Sequence, residues 1–231
     1  MVNIIQDIIP KGRKNRPGHS MSAIFICCHD TGNESTGAGA VSHGRYLKSD
    51  AAANTPVSWH FTAGSDGIVQ HLPLNESAFH AGDGANGQGN RKSIGLEICM
   101  NSDGNRSKAV LNAAELVVRL INTVPSLKPF PECMKQHYDF NGKNCPKLLR
   151  ANNGKGWRDF LVTIEALLKN EEPNLLEAAI QTLADAGVIT SPEYWQANCE
   201  IGRFVKGEFV ASLILKAAQR LREVTRCKEI G

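Results

Sequence analysis

Apolar residues gather along this chain in short runs separated by polar, glycine-containing stretches. Ala23-Ile24-Phe25-Ile26-Cys27-Cys28 is a continuous apolar run of the kind a buried central strand makes, and His29-Asp30-Thr31-Gly32 breaks it. Val57-Ser58-Trp59-His60-Phe61-Thr62-Ala63 alternates like a half-buried strand. Ser65-Asp66-Gly67 then supplies a turn and Ile68-Val69-Gln70-His71-Leu72 a partner, so a hairpin is predicted. Ser93 to Cys99 reads as a further strand with Glu97 in its interior. Helical spacing marks three segments: residues 36–53, with Val41, Tyr46 and Leu47 on one face; Ser107 to Val124; and the amphipathic stretch Trp157 to Leu168. Apolar positions at 110, 111, 114, 117, 118 and 121 set the face of the second, and Pro125, Pro129 and Pro131 end it.

After residue 170 the pattern changes. Glu171-Glu172-Pro173-Asn174 reads as a linker, with Asn174 placed to cap the following helix. Beyond it everything is helical: Leu175 to Ala186 stopped by Gly187, a turn through Ser191 to Trp195, and a helix from about Gly207 to Val224. One stripe is Leu175, Ala179 and Leu183, and another is Phe209, Leu213, Ala217 and Leu221. The expectation is an α/β domain over residues 1–170 and a small all-helical domain over 171–231. The latter is near the lower size limit for independent folding, so docking or dimerisation through its helices is expected.

Composition narrows the classes. With 42% hydrophobic and 21% charged residues in 231, the chain has the make-up of a globular protein. It has no apolar run near the roughly 20 residues that span a bilayer, so membrane insertion is not expected. Met1 to Asp7 lacks the basic flank and long apolar core of a secretory signal, which points to synthesis in a cytoplasm. Residues 171–231 hold seven Lys/Arg and nine Asp/Glu, net −2; that leaves nineteen against fourteen, net +5, for residues 1–170. A basic first part is drawn weakly to polyanions such as a bacterial wall. Few aromatics are interleaved with the basic residues, so nucleic acid is the poorer guess. Cys27, Cys28 and Cys99 lie in apolar stretches, where free thiols behave as small hydrophobes.

Cys145 is different. Gln136-His137-Tyr138-Asp139-Phe140-Asn141-Gly142-Lys143-Asn144-Cys145-Pro146 sets an imidazole and a thiol at the ends of one polar loop. Imidazole nitrogen and thiolate sulfur are ligands that zinc prefers. His29, where the first apolar run stops, is the candidate third ligand, and three protein ligands leave a fourth position for water. Glu97 shares a strand face with Gly95 and Cys99; on its own such a glutamate is more often solvent-exposed, but beside a metal-bound water it would serve as general base. Lys143, two residues from Cys145, would stabilise a developing oxyanion there. The polar loop from Gly82 to Gly89 lacks the strand–glycine–helix context of a phosphate cradle.

These segments together resemble the zinc-dependent N-acetylmuramoyl-L-alanine amidases of phage endolysins and bacterial autolysins, a family that extends to phage lysozyme-type amidases and peptidoglycan recognition proteins. The matching pieces are Ile26 to Thr31, Ser58-Trp59-His60-Phe61 with its hairpin, Ala78-Phe79-His80-Ala81-Gly82, Ser93 to Glu97, and His137 to Pro146, in the family's order. The resemblance implies a mixed β-sheet flanked by helices, with zinc held by His29, His137 and Cys145, Glu97 as the catalytic carboxylate and Lys143 near the oxyanion. It implies cleavage of bacterial peptidoglycan between N-acetylmuramic acid and L-alanine, on the wall and after release from the cell. Lysozyme-type members carry a tyrosine before the His-Phe pair; this chain has Trp59, which is therefore expected only to line the groove, and His60 and His80 are groove candidates as well, with a hydrogen-bonded structural role standing beside that reading for each. Two other readings stand beside it: a cytosolic amidase that recycles muropeptides, whose third ligand is commonly aspartate, and a peptidoglycan-binding protein that does not cut, whose members usually lose a ligand.

Overall fold

The computed structural model describes residues 3–169, 175–199 and 205–229. They fall into two compact units, Met1–Glu171 and Glu172–Gly231. The expected linker at Glu171–Asn174 and the cap by Asn174 lie outside the described residues.

The first unit is built on a six-stranded mixed sheet with the order β1-β4-β3-β5-β2-β6. Its strands are β1 (Ile4–Gln6), β2 (Phe25–Asp30), β3 (Phe61–Gly64), β4 (Gly67–Gln70), β5 (Ser93–Ile98) and β6 (Met134–Gln136). β3 and β4 form the expected antiparallel hairpin, and the other pairings are parallel. The central strand runs two residues further than its apolar run, because Thr31 N–H still donates to the Ile98 carbonyl (3.2 Å) and keeps the ladder going. His29 and Asp30 are thus within β2 rather than after it. Trp59 and His60 precede β3, although His60 N–H already bonds the Gly95 carbonyl at 3.0 Å.

One face of β2 and β5 carries Ile26, Cys28, Ile94, Leu96 and Ile98, which share a core with Phe61, Ala63 and Ile68 from the hairpin. Two helices cover it: α4 (Arg106–Thr123) and α6 (Lys147–Leu168). α4 starts at Asn105, whose side chain accepts from Lys108 N–H (2.9 Å), a cap that satisfies a donor the helix leaves free. Its buried arc is Ala109, Ala113, Leu116, Val117 and Leu120, with Val110, Val118 and Ile121 on the flank. α6 is interrupted at Ala151–Gly154, where Asn152, Asn153 and Gly154 take positive φ. Asn and Gly are the residues that enter this region at least cost. The expected helix from Trp157 is the part after the break, which buries Phe160 and Ile164.

The opposite face of β2 and β5 carries Cys27, His29, Gly95 and Glu97, because parallel partners share a side of the sheet: Cys27 pairs with Gly95 and His29 with Glu97. Short helices α1 (Ala40–Leu47), α2 (Asp50–Ala53), α3 (Gln88–Lys92) and α5 (Tyr138–Asn141) and their loops complete the unit.

In the second unit, α7 (Leu175–Asp185), α8 (Pro192–Asn198) and α9 (Gly207–Glu229) follow the predicted order. Ile180, Val188 and Ile189 form a small core with Leu183, Trp195, Leu213 and Ala217. Gly187, at φ 68°, turns the chain after α7 and lets Val188 return onto it. Of the expected stripes, Leu183, Leu213 and Ala217 pack inward and Ala179 and Phe209 are exposed, while the side chains of Leu175 and Leu221 lie outside the described residues. Ile214 and Leu215, 62% and 71% exposed, project from α9. No helix among the described residues is long and apolar enough to cross a membrane.

Candidate active site

The site is assembled by strand register and one closed loop. β6 lies beside β2, and His137 N–H extends the pairing to the Cys28 carbonyl at 3.2 Å. The chain then makes one helical turn, α5, and reverses at Gly142, whose φ of 79° suits a residue without Cβ. Tyr138 N–H donates to the Cys145 carbonyl (3.1 Å), drawing the two ends of the loop together. Asp30 anchors the start of α6 beyond the loop: its carboxylate accepts from Leu148 N–H at 2.7 Å and pairs with Arg106 of α4. Arg150 lies over the Tyr138 ring and bonds Gln136 and Asn144, which clamps the loop from outside.

His29, His137 and Cys145 therefore converge, all three buried. His29 Nδ1 is 3.0 Å from His137 Nδ1 and 3.8 Å from Cys145 Sγ. Ligands at the usual Zn–N and Zn–S lengths around a tetrahedral ion stand about 3.3 Å (N to N) and about 3.6 Å (N to S) apart. The donor set and its spacing fit such an ion. Glu97 Oε1 is 3.9 Å from the same His29 nitrogen, and Glu97 Oε2 is buried without a hydrogen-bond partner. An orphaned buried carboxylate oxygen costs free energy unless something else uses it.

Electrostatics keep the nitrogens neutral, as ligation requires. Burial lowers the pKa of His29, reinforced by His80, His137 and Lys143. Burial also lowers that of His137, with Lys143 adding to it and a hydrogen bond to the Ala81 backbone opposing it. Glu97 is pushed up to about 8 by burial and the nearby Asp30 carboxylate, with Lys143 acting in the other direction. Burial pushes the Cys145 thiol up to about 11, partly offset by a hydrogen bond from the Asp30 backbone. The Lys143 ammonium thus acts on all four of these groups, from an exposed position on the loop.

A cleft of about 1160 Å³ opens over this cluster. Trp59, His80 and Lys143 line it with the three metal-type residues and Glu97. Trp59 gives it only an edge, since the residue is 7% exposed and its indole N–H is bound to Thr62 Oγ1 at 2.7 Å. His60 does not reach it. That residue is fully buried, accepting from Gly95 N–H through Nδ1 (3.0 Å) and donating to the Glu76 carbonyl through Nε2 (2.9 Å), so it joins the hairpin region to β5. His80 sits under His29, with its Nδ1 3.0 Å from His29 Nε2 and its Nε2 3.3 Å from the Ser93 carbonyl. Cys27 Sγ is 3.1 Å from that same His29 nitrogen. Sequence reasoning passed over the contributions of Asp30 and Cys27; the period-two rhythm of β2 carried a signal for Cys27, two residues before His29 and on the same face.

A model of the N-acetylmuramoyl-L-alanine amidase family matches residues 19–148, more than half of the chain. Among curated relatives, N-acetylmuramoyl-L-alanine amidase XlyA of Bacillus subtilis (strain 168) is 48% identical over 157 residues, covering 64% of this chain and 48% of that protein. The amidase CwlH of the same strain is 44% identical over 163 residues, covering 70% and 60%. The chain thus spans about half the length of these relatives. The solved catalytic domain of XlyA superposes with a TM-score of 0.64 at 45% identity, covering 71% of this chain and 99% of that one. By sequence over the sheet and its loops, and by the superposed fold, the chain belongs to the N-acetylmuramoyl-L-alanine amidase family.

Proposed function

We propose that the chain is a peptidoglycan hydrolase of the phage or prophage endolysin type, cutting the amide between the lactyl group of N-acetylmuramic acid and L-alanine. The observation that carries it is the meeting of two imidazoles, one thiol and one unpartnered carboxylate at the floor of a single cleft. The chemistry is assigned to residues 1–170.

His29, His137 and Cys145 are the residues that would hold zinc. When bound there, zinc polarises the scissile carbonyl and acidifies a water molecule. Glu97 takes the proton of the attacking water on its free Oε2 and delivers it to the leaving amine; its raised pKa suits a group that must both accept and return a proton near neutrality. Lys143 supplies N–H donors to the negative charge that builds on the carbonyl oxygen. Trp59 and His80 shape the wall of the cleft, and the exposed loop residues around Lys143 face the glycopeptide.

Glu97→Ala is expected to retain zinc while releasing free amino groups from purified sacculi at least about 100-fold more slowly. Cys145→Ser is expected to lose both metal and cleavage. Mass spectrometry of the digest identifies the bond opened. A Glu97→Ala protein that cleaves at the wild-type rate overturns the assignment of the base.

The helical unit, residues 171–231, is assigned to wall binding or to homodimerisation. Large apolar side chains standing in solvent on α9, Ile214 and Leu215 most of all, support a contact surface there.

A further inference from the structure

A neutral imidazole has one N–H and one lone pair, so a histidine that ligates through Nδ1 must carry its proton on Nε2. The hydrogen bonds leading away from the cleft enforce that choice in His29. They end on the Ser93 backbone carbonyl, which can only accept. His80 Nε2, 3.3 Å away, must therefore carry the proton. His80 Nδ1 is then a lone pair, and it faces His29 Nε2 at 3.0 Å. That nitrogen must donate, and His29 Nδ1 is left bare toward His137 and Cys145. Cys27 Sγ, beside the same nitrogen, is a weak acceptor that shares this donation without reversing it.

We propose that His80 is a positioning residue: it relays the direction of the Ser93 carbonyl through two imidazoles and so fixes the tautomer in which His29 can ligate. The surroundings are built for this ring. Asn90 Oδ1 accepts from both His80 N–H and Ala81 N–H, each at 2.8 Å, and Asp83 accepts from Gly89 and Asn90 N–H to hold that turn in place. Opposite the ring lies Gly95, where a Cβ would come within 2.7 Å of His80 Cδ2. The ring is 9% exposed and stands edge-on to His29, with centroids 5.0 Å apart.

The relay rests on the proposed zinc site, and its test separates the two. Asn places an oxygen where His has Nδ1, and Leu has the same branched shape without an acceptor. Zinc affinity of the full-length protein is measured by competition with a chromogenic chelator. His80→Leu is expected to bind zinc about 10- to 100-fold more weakly, the usual effect of removing a ligand's outer partner, and His80→Asn to stay within about threefold of wild type. Equal losses in the two variants, or none in His80→Leu, overturn the relay. Long-range proton–nitrogen spectra of the metal-free wild type give a second reading that needs no variant to fold. They are expected to show His29 and His80 both protonated on Nε2, and His29 protonated on Nδ1 overturns the relay. A wild type that takes up no zinc defeats the metal reading, whereas the spectrum still decides the tautomer.

Discussion

At the residue scale, small side chains decide as much as reactive ones. Gly95 faces the His80 ring, and a methyl group at that position would overlap it. Gly95→Ala is expected to cost about 1–3 kcal/mol of stability, the usual range for overpacking a filled site, and to weaken zinc binding because the ring beneath His29 is displaced. Urea unfolding and chelator competition on the same preparation check both effects. Asp30 gives a second case. It is nearly buried, accepts a free N–H in the first turn of α6 and pairs with Arg106. Removing one partner of such a pair strands the other, so Asp30→Ala is expected to lower the unfolding free energy by about 3 kcal/mol, read from urea midpoints.

At the scale of elements, the hairpin and β5 are joined by His60, whose neutral ring serves both as acceptor and as donor. Burial lowers its pKa to about 4, and that of His71 to about 3. In the unfolded chain both titrate near 6.5, so the unfolded state takes up protons first on acidification. Stability is full above about pH 6.5 and falls toward pH 4, by about 1.4 kcal/mol per pH unit for each such histidine. Urea unfolding at pH 7, 6 and 5 is expected to show this decline, with a shallower slope in His60→Gln. Much of this scale was legible in the sequence: β2, β5, the hairpin and α4 have runs long enough for their periodicity to speak. β1 and β6, three residues each, do not, since they are strands only by virtue of a neighbour's free ladder groups. The convergence of His29, His137 and Cys145 was legible because two imidazoles and a thiol are an unusual set of side chains to expect together. The burial of His60 and the seat of His80 were not, because each depends on partners 10 to 51 positions away.

At the scale of the whole molecule, the chain falls into two compact units, and the second keeps its large apolar residues Ile214 and Leu215 in solvent. If α9 is a self-association surface, Ile214→Glu with Leu215→Glu converts a dimer to a monomer in light scattering without slowing hydrolysis of small soluble muropeptides. A wall-binding surface instead loses sedimentation with sacculi and keeps its oligomeric state.

In the two central strands the numbering itself sorts the consequences of change. Even positions 26, 28, 94, 96 and 98 point into hydrocarbon, and odd positions 27, 29, 95 and 97 lie on the face of the candidate site. A systematic substitution scan should therefore split by alternate residue: even sites lose melting temperature and keep the metal, and the odd sites that bear a side chain do the reverse. Apolar packing and the candidate site thus occupy opposite sides of one sheet a single residue thick, and Gly95 is the position where one added methyl group reaches both.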